Sequence, residues 1–273
     1  ARHRFMTVFS RFTSLPATLQ ASLMMLVALL MFTIMGISIR LSSEQLHVLE
    51  IVFFRNALAI IIMAPLLFRM GRDSIKMQRP GLYYGRAVIN FCGMLSGFTA
   101  LTLIPLAEMT ALSFTGPIFV TIGAAMFLGE VIRIRRMVAI GFGFVGAMII
   151  LRPGFADISL GTMLALASAL SIAGASLVVK KMTETESATA IVFWMVMMQA
   201  PIALVPMLFV WEIPTAQTWL WLWIMALAGT AAHVLFTRAC SMVEITSLQP
   251  LEFAKLPFAV ILAWLVFDEL PDM

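Results

Sequence analysis

The sequence predicts an all-α integral membrane protein, an inverted repeat of two five-helix bundles with nine helices visible and the tenth missing. Three observations carry that expectation. Hydrophobic residues fill 62% of 273 positions and charged residues only 12%, about half the charged fraction of a soluble domain, so the bilayer is the expected solvent. Apolar runs of about twenty residues recur, the length that spans a hydrocarbon core of roughly 30 Å. The third is a weak self-similarity between the halves at an offset of about 140 residues.

Runs bounded by charges, proline or glycine place nine spans at 18–40, 49–68, 81–103, 107–128, 134–152, 160–180, 189–210, 217–239 and 245–267. Backbone in lipid must satisfy its own hydrogen bonds, and these runs are too long for tilted strands, so each reads as a helix. The basic start, Arg2 to Arg11, resembles the opening of a signal peptide, but the apolar stretch behind it is too long and further spans follow. It reads as the first transmembrane helix. Cys92 and Cys240 fall inside spans with no Cys or His at ligand spacing, which indicates small packing residues and no disulfide framework or metal site. Gly141-Phe142-Gly143-Phe144-Val145-Gly146 satisfies G-x-G-x-x-G, yet no strand precedes it, so it reads as small-residue helix packing. The 22 methionines are scattered over nearly every span, as adaptable apolar filler.

The net charge of +4 would suit nucleic acid, but the basic residues lie in short loops, where membrane orientation requires them. With the N-terminus in the cytoplasm of a bacterial inner membrane, the inner side collects Arg2, Arg4, Arg11, Arg69, Arg72, Lys76, Arg79, Arg133, Arg135, Arg136, Lys180, Lys181 and Arg238. The outer side then holds only Arg40 and Arg152.

The repeat divides the chain into 1–152 and 153–273. Ile51-Val52-Phe53-Phe54 lines up with Ile191-Val192-Phe193-Trp194, Arg40 with Lys180, and Phe98-Thr99 with Phe236-Thr237. The stretch from Pro117 to Gly129-Glu130 lines up with that from Pro257 to Asp268-Glu269. An odd number of helices per repeat inverts the second copy, and by this count a tenth span is expected after Asp272. Arg55 in Phe53-Phe54-Arg55-Asn56, Ala100-Leu101 followed by Pro105-Leu106-Ala107, Pro117-Ile118-Phe119, and Gly129-Glu130 closing the fourth span resemble the EamA-type branch of the drug/metabolite transporter superfamily, over nearly the whole chain. The resemblance implies a ten-helix alternating-access carrier whose cavity is lined mainly by the first, third, fourth, sixth, eighth and ninth helices. The second copy departs from it, with Asp268-Glu269 where the first has Gly-Glu.

Ionisable groups inside spans are the functional pointers, since an Arg, Lys or Asp at a helix centre costs roughly 2.5–3.5 kcal/mol on insertion scales. Arg86, Asn90, Gly93 and Gly97 recur along one helical stripe, either a cavity wall with donors at Arg86 and Asn90 or a tight helix contact with Arg86 reaching the surface. Glu252 and Lys255, three apart in the ninth span, are expected to meet, as a substrate-responsive pair with Glu252 as proton acceptor or as a fixed bridge. His233 titrates near neutral pH if it is not simply an interior hydrogen-bonder. Phe114 and Trp264 complete the candidate substrate site, and the repeat-related Pro117 and Pro257 are candidate hinges. Pro105, Pro201 and Pro206 also interrupt or border spans. Arg55 is expected to anchor to a carbonyl or outer loop near the outer end of its span, and Glu130 to cap the following helix near Arg133.

These residues point to a secondary carrier for a small polar or amphipathic metabolite, such as an amino acid or a methionine-derived nucleoside, with proton coupling through Glu252. A multidrug exporter and a non-transport membrane subunit are the alternatives. Nothing indicates a cofactor, a metal or a catalytic residue: no nucleophile, metal cluster or paired carboxylates stand near an interface.

Overall fold

The computed structural model describes residues 15–70, 76–104, 106–151 and 159–267. Its helices are α1 Ala17–Ser42, α2 Val48–Met70, α3 Pro80–Leu103, α4 Leu106–Ser113, α5 Gly116–Gly123, α6 Ile134–Leu151, α7 Leu160–Met182, α8 Ala188–Met207, α9 Ala216–Met242, α10 Ile245–Leu248 and α11 Lys255–Phe267. Among the described residues there is no strand. Seven stretches among the described residues are long and apolar enough to cross a membrane, and the other two predicted spans fold as the 24-residue α3 and the 18-residue α6. This is an all-α integral membrane fold. Pro105, Arg72, Arg152, Asp268, Glu269 and Asp272 lie outside the described residues, as do Arg2, Arg4 and Arg11.

Local chemistry sets the helix ends. Ser159, Ser187 and Thr215 each accept from the amide three residues on, which satisfies a first-turn donor of α7, α8 and α9. Pro80 opens α3, where its missing amide hydrogen costs nothing. A π-helical turn over Ala124–Leu128 extends α5 and ends at Gly129, whose φ of 68° is the left-handed conformation that glycine adopts without strain. Two expected spans are not continuous. The fourth breaks at the Phe114–Thr115 turn between α4 and α5, and the ninth passes through a 3₁₀ segment, Gln249–Ala254, between α10 and α11.

The most extensive helix contacts cross between the halves: α1 lies along α9, α3 along α7, and α2 along α8. The first helix of each half thus packs on the third of the other, and the second helices pack on each other. The α3–α7 contact is tight because Gly93 and Gly97 have no side chain there. A Cβ on Gly93 would lie 2.9 Å from Ser171 Cβ and one on Gly97 2.6 Å from Ser168 Oγ, and Ser168 donates to Gly93 O at 2.7 Å. Of the glycines in the G-x-G-x-x-G run, Gly143 alone makes such a contact, against the Phe253 ring; Gly141 and Gly146 meet nothing.

The carboxylates near the membrane surfaces repeat the exchange. Glu50 accepts at 2.7 Å from the backbone amide of Glu212 on the approach to α9. Glu186 accepts at 2.8 and 3.1 Å from Gln78 and Arg79 just before α3. Each carboxylate therefore steadies the entry to the third helix of the opposite half.

Candidate functional site

The break in the ninth span follows from its prolines. Pro257 has no amide hydrogen for the carbonyl of Phe253 and its ring crowds that carbonyl, while Pro250 opens the 3₁₀ segment. Glu252 lies in that segment and Lys255 begins α11. Their side chains meet at 2.6 Å, Glu252 the more buried of the two. Phe32 of α1 ties this pair to α9: Lys255 Nζ stands 5.7 Å from the Phe32 ring centroid, and the His233 imidazole meets the same ring edge-on at 5.0 Å. Glu252, Lys255 and His233 are thus brought together around an aromatic ring that no spacing in the sequence singles out.

A second group of charges lies beside it. Arg55 is buried, and it sits well inside the bundle instead of anchoring to an outer loop. A Cβ on Gly229, the midpoint of the 27-residue α9, would be 3.8 Å from Arg55 Nε and 2.6 Å from Met35 Sδ. Arg55 Nη1 donates to Asn56 Oδ1 at 3.0 Å, and Asn56 Nδ2 to Val52 O at 2.8 Å. Arg86 is equally buried and does not reach the surface; it donates to Ile191 O of α8 at 2.7 Å, with its Nε unpartnered. Arg55, Arg86 and His233 lie within electrostatic reach of one another. Each arginine costs roughly 2.5–3.5 kcal/mol to place in a span.

Other predicted site residues lie elsewhere. Asn90 faces α8, its amide 3.8 Å from Met195 Sδ, so Arg86 and Asn90 point at α8 while Gly93 and Gly97 close on α7. The stripe is therefore shared between two helix contacts. Phe114 is buried and stacks on Phe253 at 5.1 Å, packed with Leu256 and Phe144. Trp264 is half-exposed, two and a half turns beyond Lys255. Pro117 and Pro257 each follow a helix break by a few residues. Cys240 is buried as expected, but Cys92 is exposed. Among the described residues no cluster of His, Cys, Asp or Glu could hold a metal.

The two ends of the bundle differ. At the Glu130 end, Glu130 caps α10 and not the helix that follows it: its oxygens accept from the Ile245 and Thr246 amides at 2.9 and 3.1 Å and from Thr246 Oγ1 at 2.7 Å. Arg136 binds Glu244 at 2.6 Å and also Thr246. Its hydrogen bond holds the Glu244 carboxyl below the usual carboxylate range. Lys180 donates to Cys240 O at 2.8 Å and Val243 O at 2.6 Å. These bonds converge on residues 240–246 from distant parts of the chain, and those of Glu130 and Arg136 join the two halves, so neither half could have shown them alone. At the opposite, Glu50 end a cavity of about 770 Å³ is lined by Ser43, the stretch Gln45 to Leu49, Leu95, Thr99 and Glu212. The cavity lies apart from the Glu252–Lys255 pair, whose chemistry makes it the stronger candidate site.

Known proteins share this architecture. Residues 19–152 and 159–273 each match the EamA-like transporter family. A riboflavin transporter of Vibrio cholerae is 33% identical over 258 residues, 93% of this chain and 87% of its own length. An S-adenosylmethionine uptake transporter of Rickettsia bellii is 30% identical, covering 84% of this chain and 78% of its own, and the pseudopaline exporter CntI of Pseudomonas aeruginosa is 28% identical over 88% and 85%. A crystal structure with 19% identity has the same fold, with a TM-score of 0.75 over 93% of this chain and 90% of that one.

Proposed function

The chain belongs to the EamA-like transporter family, and from that premise we propose a secondary carrier that moves a small polar or amphipathic metabolite across the bacterial inner membrane by alternating access. Family membership makes the protein a multi-pass transporter of small molecules and not an enzyme. The carrier mechanism and its site are the proposal.

The observation that carries it is the 2.6 Å Glu252–Lys255 pair on a break in a membrane-spanning helix, where carriers of inverted-repeat design bind their substrates. Opposite charges beside the Phe32 ring suit a zwitterion with a flat apolar part, an amino acid or a nucleoside-type methionine derivative. The substrates for which two relatives are named, riboflavin and S-adenosylmethionine, each join a heteroaromatic ring to polar groups. Glu252 is the proton acceptor, because a carboxylate that trades its Lys255 partner for a proton or for substrate couples the two. The halves, 1–152 and 153–273, move against each other about Pro117 and Pro257. The bonded Glu130 end faces the cytoplasm with the N-terminus, by the excess of basic residues there, and the Glu50 cavity opens outward. An exporter is the second reading, favoured by the relative named as exporting pseudopaline.

The test is uptake of labelled riboflavin and S-adenosylmethionine by proteoliposomes, with and without an imposed pH gradient. Gradient-stimulated uptake that Glu252→Gln abolishes, while the variant inserts normally, is expected. Uptake unchanged in both Glu252→Gln and Lys255→Met would remove this site.

A further inference from the structure

Resting on that reading, we infer that Arg55 and Arg86, with His233 between them and the ion pair, form a subsite for an anionic oxygen group of the transported molecule, a carboxylate or phosphate. Both guanidinium groups are buried and permanently charged, yet among the described residues no carboxylate pairs with either. Glu252 is taken by Lys255, and the buried Glu186 by the amides of Gln78 and Arg79. Glu50 lies at a helix end and is occupied by the amides of Glu212 and His47.

The hydrogen bonds leave capacity unused. A guanidinium offers five donors in a fork that matches an oxyanion, but Arg55 gives one to Asn56 Oδ1 and Arg86 one to Ile191 O. Arg86 Nε is buried with no partner at all. Two like charges within electrostatic reach also repel, and a bound anion is what turns that repulsion into attraction. Glycine at position 229 leaves the space on α9 in which Arg55 Nε and Met35 Sδ lie, one turn from His233. His233 edges onto Phe32, which faces Lys255, so a molecule whose anionic group bound the arginines would set its ring against Phe32 and its ammonium toward Glu252.

The experiment reads anion binding apart from transport. The thermal midpoint of the protein in nanodiscs is followed at constant ionic strength with succinate or inorganic phosphate, and with the uncharged succinamide as control. Succinate or phosphate is expected to raise the midpoint, succinamide not. Arg55→Gln and Arg86→Gln remove the effect, the latter keeping an amide donor for Ile191 O, while Arg86→Lys retains part of it. In parallel, wild-type uptake of S-adenosylmethionine should exceed that of its decarboxylated analogue by about tenfold or more, a preference lost in both Gln variants. Equal responses to succinate and succinamide, or a full anion response in the Gln variants, overturns the subsite even if uptake persists. An anion response that the Gln variants lose, without uptake of any probe, sustains the subsite and overturns the carrier reading.

Discussion

The Phe114 ring stacks on the Phe253 ring at 5.1 Å, with the two planes 22° apart. Phe114 stands three residues before Pro117 and Phe253 four before Pro257, so one stack joins the breaks of the fourth and ninth spans. Gly143 of α6 completes the contact, since a Cβ there would press into the same Phe253 ring at 2.5 Å. The two discontinuities therefore share a single apolar seat, and bending one displaces the surface on which the other rests. A double-mutant cycle of Phe114→Ala and Phe253→Ala should give a coupling of about 1 kcal/mol, measured by reversible unfolding in mixed micelles. Additive effects would separate the two breaks.

Glycines on α3 should respond in opposite directions. Gly97→Ala drives a methyl to 2.6 Å from Ser168 Oγ and displaces the hydroxyl that donates to Gly93 O, a loss of about 1–3 kcal/mol. Gly85, three turns earlier on the same helix, meets nothing within 4 Å, so Gly85→Ala should gain up to about 1 kcal/mol. The thermal midpoints of the two variants, in one detergent, check the pair.

Lys180→Met removes the cation that donates to Cys240 O and Val243 O at the end of α9, a loss of about 1–2 kcal/mol. Cys240 is buried, so loosening this end exposes it. In a Cys92→Ser background, maleimide labelling of Cys240 should be faster in the Lys180→Met protein than in its parent.

Glu244 sets a pH dependence at the same end. Its folded pKa is depressed by the Arg136 hydrogen bond, so its contribution is present above the unfolded value of about 4.3 and is lost as pH falls through the folded value. The carboxylate is half-exposed and solvent screens it, which makes the effect modest. The fall of the thermal midpoint between about pH 5 and pH 3 should be shallower in Glu244→Gln than in wild type.

The spans were legible because twenty apolar residues have one solution in lipid, and the Glu252–Lys255 pair because i and i+3 share a helix face. Pro117 and Pro257 marked where helices four and nine are interrupted, but a proline does not say whether the chain turns, as before Pro117, or tightens to 3₁₀, as before Pro257. Arg55 was misread because its own helix does not reveal that the midpoint of α9 lies across from it. Glu130 was misread for a related reason: its partners, Ile245 and Thr246, are 115 and 116 residues away, and local capping rules see only neighbours. Phe32 carries no polar signal, and its position between His233 and Lys255 exists only in the packed bundle.

The carboxylate of Glu186 has a consequence for synthesis. The amides of Gln78 and Arg79 at the head of α3 obtain their acceptor from a residue made more than a hundred positions later, and the acceptor in Glu50 waits longer still for the amide of Glu212. While the ribosome is still reading the second half, the first must hold its place in the bilayer with those groups left to water and its α3 glycines facing lipid. A ribosome that stalls at mid-message thus releases not a smaller transporter but an unfinished surface, open to proteolysis.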